Sequence, residues 1–408
     1  MRNINVTFWR LKPTQGVKSV DGSKLGYLES IRGLAACAVV FAHILAAYLP
    51  GVGEPNVENL ATNSIASTLF FGLPLGFMAS GHFAVVLFFV LSGFVLTFRF
   101  FQTKNQQDLY RQSAKRFFRL AIPIFAIVMI AYAMIANGMM SNTLKVAELG
   151  GSQNVGNNFN FIPSLSDAFH SATLGVIAER DTRYNPVLWT MSIEFFGSFI
   201  VLGLAAFISK TRRRWIIYFG SIVLLSHSYY VCFVLGMMLA DIVHNTDYVD
   251  IAREKISRVY YALALGLVWI IACFPMPING LNNTVYESLL LPGVDDTYMF
   301  RMWQFFGAFL LLVLIVISVR LQNILNHRFL VFLGGVSFAV YLVHFLVLYS
   351  AGHFVYVLSR ESLGITSSAV VAGTVTVIIT LLISIYWKRY IDDMSIRVSR
   401  SFANYILK

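Results

Sequence analysis

The chain has 408 residues, 57% of them hydrophobic and only 12% charged, with a net charge of +11. Soluble proteins average roughly 25% charged residues, so little of this chain is left for a soluble domain, and the basic balance does not signal nucleic acid. The basic residues lie between apolar segments, as they do in the cytoplasmic loops of membrane proteins.

In chain order, residues 1–26 are polar and basic and lack the apolar core of a cleaved signal peptide, so the first membrane helix is expected to act as the targeting signal. A spanning helix takes about 20 apolar residues. Such runs fall near 27–49, 83–101, 117–137, 187–208, 258–274, 302–319, 329–351 and 367–387. The stretch 215–244 reads either as one long helix or as two short ones bent at Ser226, His227 and Ser228. Charge chooses between them. Basic groups precede the first helix, occupy 99–119, 210–214, 253–258 and 320–328, and follow 387. They share one side only if 215–244 is a hairpin. The positive-inside tendency then predicts an all-α polytopic membrane protein of about ten transmembrane helices with both termini cytoplasmic. Residues 1–26 form a cytoplasmic N-terminal segment, 27–390 the membrane domain and 391–408 a cytoplasmic tail.

The loop 138–186 is rich in Asn, Gly and Ser and reads as a lid or acceptor-binding loop, or as a plain connector. Asn282 is a glycosylation sequon in the loop 275–301. Cys37, Cys232 and Cys273 form no CxxC pair and no disulfide framework. No P-loop, GxGxxG, HExxH or GxSxG is present. The eight histidines are scattered and none pairs at helical spacing, so no metal is expected.

Ionisable groups at membrane depth are costly and point to function. Glu29, Arg32 and His43 lie in the first helix. The spacing from Arg32 to His43 leaves them within roughly 20° on one face and about 16 Å apart along the axis. Glu29 is placed to pair with Arg32. His43, Glu194 and His344 each fall about 10 Å below the outer end of their apolar runs. Ser337, Tyr341 and His344 share one helix face. Arg32, Arg116 and Arg119 gather near the cytoplasmic surface. The pattern predicts an inner cationic layer and an outer His/Glu layer; the alternatives are a packing ion pair, a histidine bonded across helices and ordinary positive-inside anchors.

At these residues the sequence resembles the acyltransferase 3 family of membrane O-acyltransferases. YLESIRGLAA (27–36) followed by His43 resembles its R-x10-H first helix, and AVVLFFVLSGF (84–94) its second-helix signature. RFFRLAIP (116–123) resembles the RxxR start of the third helix. NPVLWTMSIEFF (185–196) is similar to its W-x-x-x-x-E segment and LGGVSFAVYLVH (333–344) to its late SxxxYLxH segment. Glu29 stands where the family often has Asp. The chain resembles the stand-alone membrane form.

The resemblance implies transfer of an acyl group, commonly acetyl, from cytoplasmic acyl-CoA to a hydroxyl on the outer side. The acceptor is expected to be a carbohydrate, as a surface polysaccharide or its lipid-linked precursor. Acetyl-CoA is then a co-substrate, with no permanently bound cofactor, and membrane lipids are the surroundings. The family's commonest setting implies a bacterial cytoplasmic membrane, with an internal eukaryotic membrane as the alternative. The resemblance implies Arg32 and His43 as the functional pair, Arg116 and Arg119 as the basic entry motif and Glu194 as the acidic site residue. Joined to the layer reading, His43 and Glu194 are the expected catalytic residues, Arg32, Arg116 and Arg119 the expected donor-binding ones, and Glu29, Trp189, Ser337, Tyr341 and His344 the supporting ones. An alcohol needs a base to become a nucleophile, and neutral histidine suits that task near pH 7. Glu194 is expected to orient His43, and the arginines to meet donor phosphates. Two rival readings are a proton-coupled transporter or flippase, and a non-catalytic scaffold whose buried charges only fix packing.

Overall fold

The computed structural model describes residues 25–49, 80–140, 158–211, 213–274 and 286–407. The N-terminal segment to residue 24, the middle of the 138–186 loop and the Asn282 sequon lie outside the described residues. Within them the chain is all-helical. Its main helices are α1 (Gly26–Tyr48), α2 (Gly81–Thr103), α3 (Gln106–Ala136), α4 (Trp189–Ile208), α5 (Arg214–Leu225), α6 (Tyr230–Asn245), α7 (Tyr248–Lys255), α8 (Arg258–Ala272), α9 (Asp296–Ile317), α10 (Arg328–Val347), α11 (His353–Trp387) and α12 (Asp393–Ile406). Among the described residues six helical stretches are long and apolar enough to cross a membrane, or seven if α7 and α8, bent by 111°, form one span.

Lipid offers no hydrophobic drive between helices, so close approach depends on small residues. Two such contacts organise the core. An added Cβ at Gly334 of α10 would overlap the main-chain oxygen of Glu29 in α1, and one at Gly33 would meet the nitrogen of Gly334 at 2.6 Å. In the same way a Cβ at Gly93 of α2 would overlap the Phe233 oxygen in α6, and one at Gly236 the Val90 oxygen. These paired glycines press α1 onto α10 and α2 onto α6, backbone to backbone.

The stretch 215–244 is a hairpin. It breaks at 226–229, and its distant ends meet: Arg214 lies 3.3 Å from Asp241 and donates to the Asn245 main-chain oxygen at 3.3 Å. Tyr218 also donates to Asp241, at 3.1 Å. By helix rise the arms are only about 18 and 24 Å long, short of a core of about 30 Å. At the other end of the chain, α10 runs on through a wide turn at Leu348–Gly352 into α11, which kinks at Gly364 (φ 76°) and doubles back. Thr376 on the returning arm reaches the level of Gly352. Two boundaries differ from the expected spans. α3 starts at Gln106, well before the apolar run that begins at 117, and the first arm of α11 continues past 351. Before 117 polar, helix-favouring residues extend α3, whereas α11 opens on the apolar run 354–358 and turns polar only at 359–362.

Candidate active site

α1 carries Glu29 and Arg32 toward one end and His43 toward the other. Glu29 and Arg32 open onto a pocket of about 260 Å³ between α1, α2, α3, α4 and α10, with the turn Lys388–Asp392 and the start of α12 forming its remaining wall. Glu29 and Arg32, Phe88 and Ser92, Arg116 and Arg119, Thr190 and Glu194, Ser337 and Tyr341 all line it. One cavity therefore gathers side chains from six separate parts of the sequence.

The pocket is balanced rather than cationic. Its cations are Arg32, Arg116, Arg119 and Lys388, and its carboxylates Glu29, Glu194, Asp392 and Asp393. Arg32 lies 3.7 Å from Glu29. Arg116 forms an ion pair with Glu194 and donates from Nε to Ser198 at 2.6 Å, while Ser92 donates to the same Glu194 oxygen at 2.7 Å. Arg119 donates to Ser395 at 2.9 Å and to the Asp392 main-chain oxygen at 3.4 Å, with its guanidinium 5.7 Å from the Phe338 ring centre. Cations held in apolar surroundings need such partners. This corrects the expected cationic layer.

A second correction concerns Glu194. Its carboxylate turns to Arg116 and Ser92, and the described polar partner of His43 is His344. Arg116 lies inside α3 and meets Glu194 directly, so the two lie at one level rather than in separate layers.

His43 is half-buried, and its Nδ1 stands 2.9 Å from Nε2 of the buried His344. The two rings are inclined to each other by only 17° with centres 5.1 Å apart, so they meet edge to edge. His344 Nδ1 lies 3.0 Å from the Val340 main-chain oxygen. A carbonyl only accepts, so His344 Nδ1 carries the proton. Neutral His344 then has a bare Nε2, which accepts from His43 Nδ1–H, and the lone pair of neutral His43 is left on Nε2. Tyr341 joins the two regions. It lines the pocket, its hydroxyl bonds the Val187 oxygen and Thr190 at 2.9 Å each, and its ring centre lies 6.0 Å from that of His344.

The described end of the 138–186 loop meets the histidine pair. Phe159 packs on Phe345 with ring centres 6.2 Å apart, and Phe345 stands edge-on to His43 at 5.4 Å. Asn185 anchors the loop's end by donating to the buried Leu342 oxygen at 2.9 Å. Trp189 is placed elsewhere. It packs on Phe89 and Tyr229, beside His82, whose ring nitrogen is 3.0 Å from the Tyr229 hydroxyl, and Arg301, 5.4 Å above the Tyr229 ring. Ser337 faces the pocket but its hydroxyl is used by the Gly334 oxygen at 2.8 Å.

Sequence reading missed Ser92, Thr190, Ser198, Lys388, Asp392 and Ser395. Ser92 had a signal, as a hydroxyl inside the run 84–94. Lys388 had none, since it reads as one more positive-inside anchor. Among the described residues no three His, Cys, Asp or Glu side chains group as metal ligands.

A family model described as "Acyltransferase domain" matches residues 25–386. The chain is similar to three fungal proteins. The acyltransferase clz18 of Cochliobolus lunatus is 22% identical over 82% of this chain and 85% of its own length. The acyltransferase R4 of a Phoma species is 21% identical over 81% and 84%. The O-acetyltransferase PaAT-1 of Phomopsis amygdali is 22% identical over 92% and 83%. No solved structure matches the chain significantly.

Proposed function

This chain belongs to the acyltransferase-domain family and is an acyltransferase, and from that premise we propose that it moves an acetyl group from cytoplasmic acetyl-CoA to a hydroxyl of a carbohydrate acceptor on the outer side. The observation that carries the chemistry is the chain His43 Nδ1···His344 Nε2 at 2.9 Å and His344 Nδ1···Val340 oxygen at 3.0 Å. It leaves His43 Nε2 free as the base. His344 takes the orienting place first given to Glu194, as the third member of a triad does.

The donor enters the pocket, its thioester end toward Tyr341. About 260 Å³ is slightly below the roughly 300–1,000 Å³ of pockets that hold drug-sized ligands. It suits the thin acyl-bearing arm, with the nucleotide left at the mouth. His43 Nε2 takes the proton of the acceptor hydroxyl. The oxygen bonds to the thioester carbonyl carbon, the carbon–sulfur bond breaks, and the CoA thiolate leaves and takes up the proton. The imidazolium formed on the way keeps its Nδ1–H on His344. Arg32, Arg116 and Arg119 set the pocket's walls and meet the donor's polar atoms by exchange with their present partners, carboxylates for Arg32 and Arg116 and Ser395 for Arg119.

We place the protein as a multi-pass membrane protein of ten spans, with the termini on the donor side. Charge distribution and the 215–244 hairpin support that arrangement. The family's setting supports a bacterial cytoplasmic membrane, and the fungal relatives set an internal eukaryotic membrane beside it. The test is labelled acetyl transfer from acetyl-CoA by purified wild-type and His43→Ala protein. Loss of about 10²–10⁴ in kcat with donor binding kept is expected; near-normal transfer refutes the proposal.

A further inference from the structure

Three of the pocket's four cations are already engaged: Arg32 by Glu29, Arg116 by Glu194 and Ser198, Arg119 by Ser395 and the Asp392 main chain. Lys388 differs. It lines the pocket and is half-buried, and its side chain lies over Gly335, where an added Cβ would stand 3.0 Å from Nζ. Among the described residues no carboxylate oxygen comes within 4.0 Å of its ammonium, and Asp392 acts on it only as a more distant opposite charge. Lys388 also falls beyond the family match, which ends at 386, as do Asp392, Asp393 and Ile396 on the same wall.

A lysine ammonium is a compact point charge with three donors, suited to phosphate. An ammonium held in no direct ion pair is the cation that a ligand anion can meet without displacing a bound carboxylate. The two carboxylates nearby would repel an anion that stopped short of Lys388, which makes its ammonium the contact point. We infer that Lys388 is a donor-binding residue that takes a phosphate of the acyl donor at the pocket's mouth, so that the segment 388–396, outside the family domain, completes the donor site. The inference rests on acyl-CoA as donor.

The experiment is equilibrium binding of acetyl-CoA and of S-acetylpantetheine, which has no phosphate, to the full chain in lipid nanodiscs. Wild type is expected to bind acetyl-CoA more tightly. Lys388→Gln should weaken acetyl-CoA binding about tenfold, the size of one charge-assisted hydrogen bond, and leave S-acetylpantetheine unchanged. Lys388→Arg should stay within about threefold of wild type. If Lys388→Gln does not fold, Gly335→Ala crowds the ammonium and should show the same selective loss. Equal weakening of both donors, or of neither, overturns the role of Lys388 alone. If wild type binds acetyl-CoA no better than S-acetylpantetheine, the acyl-CoA reading fails and this inference with it.

Discussion

The Arg116 and Glu194 side chains are 14% and 15% exposed. Removing one member of such a pair strands the other charge, which costs about 3–5 kcal/mol. Glu194→Ala should therefore lower thermal stability markedly, with activity falling alongside folded protein. His43→Ala should leave the melting temperature within about 2 °C, since a half-buried side chain bonded to a neutral partner strands no charge. Thermal unfolding of the two variants in one detergent checks this. Equal destabilisation would return Glu194 and His43 to one unit. Sequence reading found both residues from their cost at membrane depth. It mispaired them because depth along a run does not show which side chain faces which, and Arg116 lies inside α3, where it meets Glu194 directly.

Helix-to-helix contact carries the next level. Gly334 and Gly93 each sit where a side chain would strike the backbone of the facing helix. Gly334→Val should separate α1 from α10, and with them His43 from His344, so that folded yield and transfer both fall. Gly203→Val, at a site with open space around it, should do neither; fluorescence size-exclusion profiles compare the two. The glycines were visible in the resembling motifs, but only the contact shows which helix each one faces. The loop element adds a further expectation. Phe159 covers Phe345 over His43, and water exclusion protects a thioester from hydrolysis. Phe159→Ala should raise acetyl-CoA hydrolysis without acceptor several-fold, measured by thiol release. An unchanged rate would make the loop a connector.

For the whole molecule, the paired basic groups and the bend at Ser226–Ser228 made the 215–244 hairpin legible, and Arg214 meeting Asn245 is its structural counterpart. What could not be read was how far α3 continues beyond its apolar run, since polar helix formers extend it without any hydropathy signal. If the ten-span arrangement holds, a cysteine placed at Asn245 of a chain lacking Cys37, Cys232 and Cys273 is labelled from the cytoplasmic side, and one at Gly364 from the outer side; labelling of both from one side would break it. The account as a whole turns on His43 and His344 acting together as the base between a cytoplasmic pocket and an outer acceptor. Residues that act as a unit are non-additive when removed. The direct measurement is kcat for acetyl transfer by His43→Ala, His344→Ala and the double variant, each normalised to bound acetyl-CoA. If the two histidines form one unit, the double variant is no slower than His43→Ala; losses that multiply would show that they act separately.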